Sequence, residues 1–442
     1  MRQQLLLLEL NALNFDHLRH YAARGTLPTL SRLIARHGVA ETTSEARYEE
    51  LEPWIQWVTA HTGLPLAEHG AFRLGDIRGR GLTQIWEVLE AQGLRVGAVS
   101  PMNAENRCQD AAFFLPDPWT RGRLSARPLL ARLFDAVSQA VNDNAVGRLT
   151  PASTAWLALA ALRYARPANY HRYLGLDVAS KRKPWTRAMF LDLLLADVFI
   201  RETRRTRPHF ASLLLNAGAH IQHHYLFNSP AYEGGLQNPE WYAPAGVDPV
   251  GEAYRLYDRI VAQIERAFPE ARLMIATGLH QDPHDAVTFY WRLKDHAGFL
   301  GKLGVPYLRV EPRMSRDFLI VCRSAEEAAE AERILGSAVG ENGTPLFEVD
   351  NRGSDLFVML TWPHDIPEDF TYRIGNTPYT GLREEVAFVA IKNGQHNGSG
   401  YVLDTGATPG DLPTRFPLAE LPERVCTALG AAWRPDERAA AE

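Results

Sequence analysis

Close to its start the chain reads LLLLEL, an apolar run broken only by Glu9. A continuous run of this length suits a central strand of a parallel sheet, where both faces are covered. It predicts a strand over residues 4–10. Helical spacing follows over 15–24 and 27–37, the second helix introduced by Thr26 with Pro28 in its first turn. A third helix is expected over 54–61, started by Pro53. Beyond it lie a helix over 83–92 and a strand over 95–99, separated by Gly93. Later the pattern resumes with a helix at 185–204, a strand at 210–216, a helix at 249–268 and a strand at 271–277. This alternation predicts an α/β fold, a doubly wound and mostly parallel sheet with helices on both faces.

Two stretches break the alternation. Residues 116–183 are helical in pattern, rich in Ala, Leu and Arg, and interrupted by prolines, as in an inserted cap. Residues 301–375 read as strand, helix, strand, strand (DFLIVC, SAEEAAEAERILGSAV, PLFEVD, DLFVMLTW), a small α+β insert. The expected organisation is therefore a core of 1–115, 184–300 and 376–434, the two inserts, and a frayed tail at 435–442. VAFVAIK, within 385–392, is expected to return to the core sheet as a buried strand.

Composition changes this picture little. With 442 residues and 46% hydrophobic content the chain can bury a large core. A net charge of −5 offers no basic footprint for nucleic acid. Cys108, Cys322 and Cys426 are far apart, form no CxxC pair, and suit a reducing cytoplasm. The apolar run at the start is too short for a signal peptide and no later run spans a bilayer, so a cytoplasmic protein without membrane contact is expected. The oligomeric state stays open, a homo-oligomer included.

Open parallel sheets collect ligands beyond the carboxyl ends of their strands. Four such ends carry polar residues here: Glu9 with Asn11, Asn216 with His220, Thr277 with His280, and Asn393 with His396. Glu9 needs a partner if it is buried. His220 and His224 are four apart and would share one helix face, as paired metal ligands do, whereas His223 reads as a surface or core residue. Glu52, just before Pro53, is open to four roles: ligand, general base for water, nucleophilic carboxylate, or helix N-terminal charge. Trp54 and Gln56 are candidates to line a pocket.

Residues 51–76, LEPWIQWVTAHTGLPLAEHGAFRLGD, place Thr62-Gly63, Pro65 and His69-Gly70 behind Glu52-Pro53-Trp54. Together with the strand ends, this layout resembles the alkaline phosphatase superfamily, nearest its type I phosphodiesterase/nucleotide pyrophosphatase branch, over most of the chain. The resemblance implies a hydrolase of a phosphate, phosphodiester or sulfate ester of a small organic molecule. It also implies a divalent metal, zinc in that family, as one or two ions, with a metal-free site as the other reading. Carried over, Glu9 stands at the first metal-binding Asp, and Asn216 with His220 at an Asp–His pair four residues apart. His396, in KNGQHNGSG, stands at the final His. Pro53 occupies the place of the Ser or Thr nucleophile, which leaves attack to water. Thr277-Gly278-Leu279 replaces an Asp–His pair, for which His280 is the nearest substitute. The implied metal set is Glu9, Asn216, His220, His396 and His280; Glu52 and Glu9 are the catalytic candidates, with Asn11, Trp54, Gln56 and His224 at the substrate. The alternatives are a metal-poor enzyme of another group transfer in biosynthesis, and a non-catalytic module for an anion or sugar.

Overall fold

The computed structural model describes residues 3–120, 122–143, 155, 158–159, 162–313, 316–340 and 343–435. The chain divides into two compact units. The first is Met1–Glu233, Ala245–Pro283 and Gly394–Glu442, and the second is Gly234–Pro244 with His284–Asn393.

An eight-stranded sheet carries the first unit. Its leading strands are β1 (Leu5–Leu10), β2 (Ala40–Thr43), β3 (Val96–Val99), β4 (Phe113–Leu115), β5 (Phe210–Leu215) and β6 (Arg272–Ala276), joined by Ser399–Asp404 and Arg415–Pro417. Across the sheet the order is Arg415–Pro417, β2, Ser399–Asp404, β6, β1, β5, β3, β4. The strands from β6 to β4 are parallel, and Ser399–Asp404 runs antiparallel to both its neighbours. β1 lies between β5 and β6, with Leu8 opposite Leu213 and Ile275, and every residue of it is buried. That position is what the LLLL run requires. Thr186–Thr206 packs on β5 and β3. Trp57, Trp86, Ile85 and Phe114 join Leu5, Leu7 and Leu214 in one apolar core.

The start of the second helix depends on a tertiary partner. Thr26 was expected to introduce the second helix, but its hydroxyl donates to Tyr21 O. Pro28–His37 begins without a side-chain cap from its own N-cap residue. Its first free amides, Thr29 and Leu30, donate instead to Asp258 Oδ1 at 2.9 and 2.8 Å. Asp258 projects from Pro249–Ala267, so one helix caps another.

The second unit has a core of its own, including Trp291, Phe299, Phe318, Leu356 and Tyr372. A four-stranded antiparallel sheet runs in the order Phe347–Asn351, Asp355–Leu360, Asp317–Val321, Arg309–Pro312. Ala325–Gly336 packs on it, capped by Ser324 accepting from Glu327 N. This unit extends on both sides of 301–375.

One further expectation needs correction. The run at 385–392 does not return to the main sheet. It opens the strand Val386–Asn397, whose partner is His280–Leu293 in a separate two-stranded sheet. Much of Val386–Asn397 is only half-buried, which a central parallel strand would not be. The segment HQDPHD begins His280–Leu293. Both strands of a two-stranded sheet are edges, which is where Pro283 is tolerated. Of the expected cap, Pro128–Asp143 and Tyr170–Ala179 are helices. Most of 144–161 lies outside the described residues, as does the tail from 436. Among the described residues no helix is long and apolar enough to cross a membrane.

Candidate active site

Glu9 does not open toward a ligand. It is fully buried, with Oε1 3.2 Å from His61 Nε2. The His61 ring packs between Trp57 and Trp86, at centroid distances of 5.8 and 4.6 Å. Glu9 Oε2 is sealed from solvent without a partner. Leu5, Leu7 and Glu9 share a face because strand side chains alternate, and that face is the Trp57 core. The next polar residue, Asn11, reaches the strand mouth. Its Nδ2 donates to Asn216 Oδ1 at 2.7 Å, and its Oδ1 accepts from Trp57 Nε1 at 2.8 Å.

Asn216 is therefore held by Asn11 rather than aimed at His220. Its backbone N–H and that of Ala217 donate to Asp192, which also accepts from Tyr257 OH. Asp192 is the buried cap of Ala217–Tyr225. Burial pushes its carboxyl up to about 6, against the pull of those donors. Nothing in the strand-end pattern singles Asp192 out; the only signal was two acids, Asp192 and Asp197, in the otherwise apolar stretch FLDLLLAD.

Ala217–Tyr225 presents three imidazoles. His220 and His224 lie one turn apart with ring centroids at 4.9 Å. His220 is open to water, yet the protein crowded around it lowers its pKa from the usual imidazole value. His223, which the pattern had assigned to surface or core, meets His396: their Nε2 atoms are 3.0 Å apart. His223 Nδ1 is 3.3 Å from Gly394 O, and His396 Nδ1 is 3.4 Å from Glu52 Oε2. No periodicity along one segment joins residues 52, 223 and 396.

The protons in this chain can be counted. A hydrogen bond from His223 Nδ1 to the Gly394 carbonyl needs one proton, and one from His396 Nδ1 to the Glu52 carboxylate needs a second. A hydrogen bond between the two Nε2 atoms would require a third, on one of the two rings. Three protons on four ring nitrogens would make one imidazolium, beside the Glu52 carboxylate. Losing that proton would leave two neutral rings with a lone pair on each Nε2. Glu52, His396 and His223 can thus take up and return one proton.

His280 is engaged elsewhere. Its Nδ1 lies 2.6 Å from Ser399 O and its Nε2 3.1 Å from Asp282 Oδ1. Burial pulls its pKa down, but the hydrogen bond and charge of Asp282 with the Ser399 carbonyl outweigh this and raise it overall. Asp282 is correspondingly lowered, chiefly by that His280 hydrogen bond, and accepts from Asn397 Nδ2. Gln56 is fully enclosed and donates from Nε2 to Glu50 O at 2.9 Å. Half-buried Trp54 donates from Nε1 to Phe72 O. At Gly278, φ is +72° and an added Cβ would come within 3.1 Å of Trp57, so only glycine fits where the resemblance placed a metal ligand.

The implied metal set does not assemble. Glu9 faces the core, Asn216 faces Asn11 and His280 faces Asp282. Among the described residues no three His, Cys, Asp or Glu side chains converge on one point as metal ligands. The donors present do not fit the expected site, and what converges instead is the His223–His396–Glu52 relay.

No protein family matches the sequence, and no curated protein matches it. Solved structures align over nearly its whole length. Phosphonoacetate hydrolase from Sinorhizobium meliloti 1021, in complex with phosphonoformate, is 14% identical, with 97% of this chain and 96% of that one covered and a TM-score of 0.47. Murine ectonucleotide pyrophosphatase/phosphodiesterase 5, in complex with AMP, is 10% identical, with coverages of 98% and 96% and a TM-score of 0.43.

Proposed function

We propose that this chain hydrolyses a phosphate, phosphodiester or sulfate ester of a small organic molecule, using water activated by His396, His223 and Glu52. The observation that carries this reading is the 3.0 Å contact between the two Nε2 atoms, backed by the Glu52 carboxylate. In the neutral pair, the Nε2 lone pair of one ring accepts a proton from water as the water oxygen attacks phosphorus or sulfur. The proton then sits between the rings, balanced by Glu52. As the bond to the ester oxygen breaks, the pair returns that proton to the leaving alkoxide. His220 and His224 are placed on the same helix to donate N–H groups to the ester oxygens. The choice of ester class follows the sequence resemblance, and the acid–base chemistry follows the geometry.

The test is turnover of aryl phosphate, phosphodiester and sulfate esters by the purified full chain. His396→Ala is expected to lower kcat/KM by about 100-fold or more. Glu52→Gln removes the charge that favours the imidazolium, so the rise of kcat/KM with pH moves to lower pH. If no ester is turned over, or both variants match the wild type, the reading fails.

A further inference from the structure

At the carboxyl edges of β3, β4 and β5 lies a cavity of about 40 Å³. Trp119 follows β4, Phe134 comes from Pro128–Asp143 and Leu195 from Thr186–Thr206, and all three wall the cavity while only half-buried. Asp192, on the same wall, has its oxygens taken up by Asn216 N, Ala217 N and Tyr257 OH. The space would admit water by size, but ordered water needs several polar partners, and this lining is almost wholly apolar. An apolar occupant is favoured.

Asn216 connects the cavity to the imidazoles. It lines the cavity and is the N-cap residue of Ala217–Tyr225, whose next turn begins when His220 N donates to Asn216 O. Ser100, also on the wall, has a φ of +58° directly after β3, a backbone strain of the kind found around ligand sites. The cavity thus lies at the ligand-collecting edge of the sheet, one residue from the helix that carries His220, His223 and His224.

We propose that this cavity is a subsite for a short apolar arm, alkyl or aryl, on the molecule held at the imidazoles. The head group of that molecule rests on the hydrolase reading; the apolar arm does not. Trp119, Phe134 and Leu195 then set how long an arm is accepted.

The experiment is calorimetric titration of the full chain with straight-chain alkylphosphonates and with straight-chain alcohols of the same lengths. Affinity should rise about fourfold per methylene until the cavity is filled, then level off. Leu195→Phe should bring the plateau to shorter chains and Leu195→Ala should move it to longer ones, with thermal unfolding showing that each variant folds. Because the two variants act in opposite directions, either one that folds tests the proposal. Affinity independent of chain length, or a plateau unmoved by a folded variant, overturns it. A chain-length gain in both series with phosphonates no tighter than alcohols keeps the subsite and removes the phosphoester reading. Phosphonates that bind without any chain-length gain do the reverse.

Discussion

Glu52 stands at the N-cap position of Pro53–Thr62, makes no capping hydrogen bond there, and turns its carboxylate toward His396. Glu9 is spent on His61 in the core. Glu87 shows a third outcome. It is buried in the first turn of Ile85–Ala91, where it accepts from Gln84 N at 2.8 Å and Arg107 N at 3.2 Å. Burial still dominates and raises its carboxyl from 4.5 to about 7. Between those two values the folded chain keeps a proton that the unfolded chain releases, so stability falls as pH rises through the window. Above it both states are ionised and the loss is complete. Glu87→Gln has no proton to lose. Chemical denaturation at pH 4.5 and pH 7 should therefore find wild type losing about 3 kcal/mol relative to this variant across the window. A constant difference between the two proteins would show that Glu87 is ionised throughout.

Helix starts in the first unit repeat one device. The free amides of Pro28–His37 end on Asp258, and those of Ala217–Tyr225 on Asp192, each acid supplied by another helix. Orphan amides at a helix start need acceptors, and a buried carboxylate there gains from the helix dipole. Each cap also fixes the position of one element against another, which a local Ser or Thr cap does not. Asp258→Ala is expected to destabilise the first unit by about 1–3 kcal/mol, because it strands two amides in a dry place. The denaturant midpoint measures this, and a change within error would show that water replaces the carboxylate. His220, His223 and His224 depend on the equivalent cap at Asp192, since the start of their helix is set by it.

Across the molecule the two units carry separate cores, one around Trp57 and Trp86 and the other around Trp291, Phe318 and Leu356. Leu356 is fully buried in the second. Leu356→Ala removes methyl groups that the sheet cannot readily close over, at a cost of about 2–5 kcal/mol. Scanning calorimetry of the full chain should show two components, with this variant lowering the one that belongs to the second unit and leaving the other in place. A single transition that moves as a whole would mean that the units unfold together.

The sequence by itself determined the alternating strands and helices of the first unit, because their burial writes a period that can be read locally: LLLLEL had to be a central strand, and Pro28 and Pro53 had to start helices. It also identified His396, Glu52, His220 and His224 as candidates from their places at strand and helix ends, and passed over His223. Only the tertiary structure decided which of these residues meet. Glu9 turned inward because strand side chains alternate and its face is the Trp57 core. His223, not His220, reached His396, since the pairing depends on how residues 394–396 run past a helix more than 170 positions earlier. VAFVAIK looked like a core strand because apolar runs do not record their partners; pairing with His280–Leu293 was a matter of topology. Period and capping are local quantities. Convergence of side chains from distant segments is set by packing, and that is where the candidate chemistry of this chain resides.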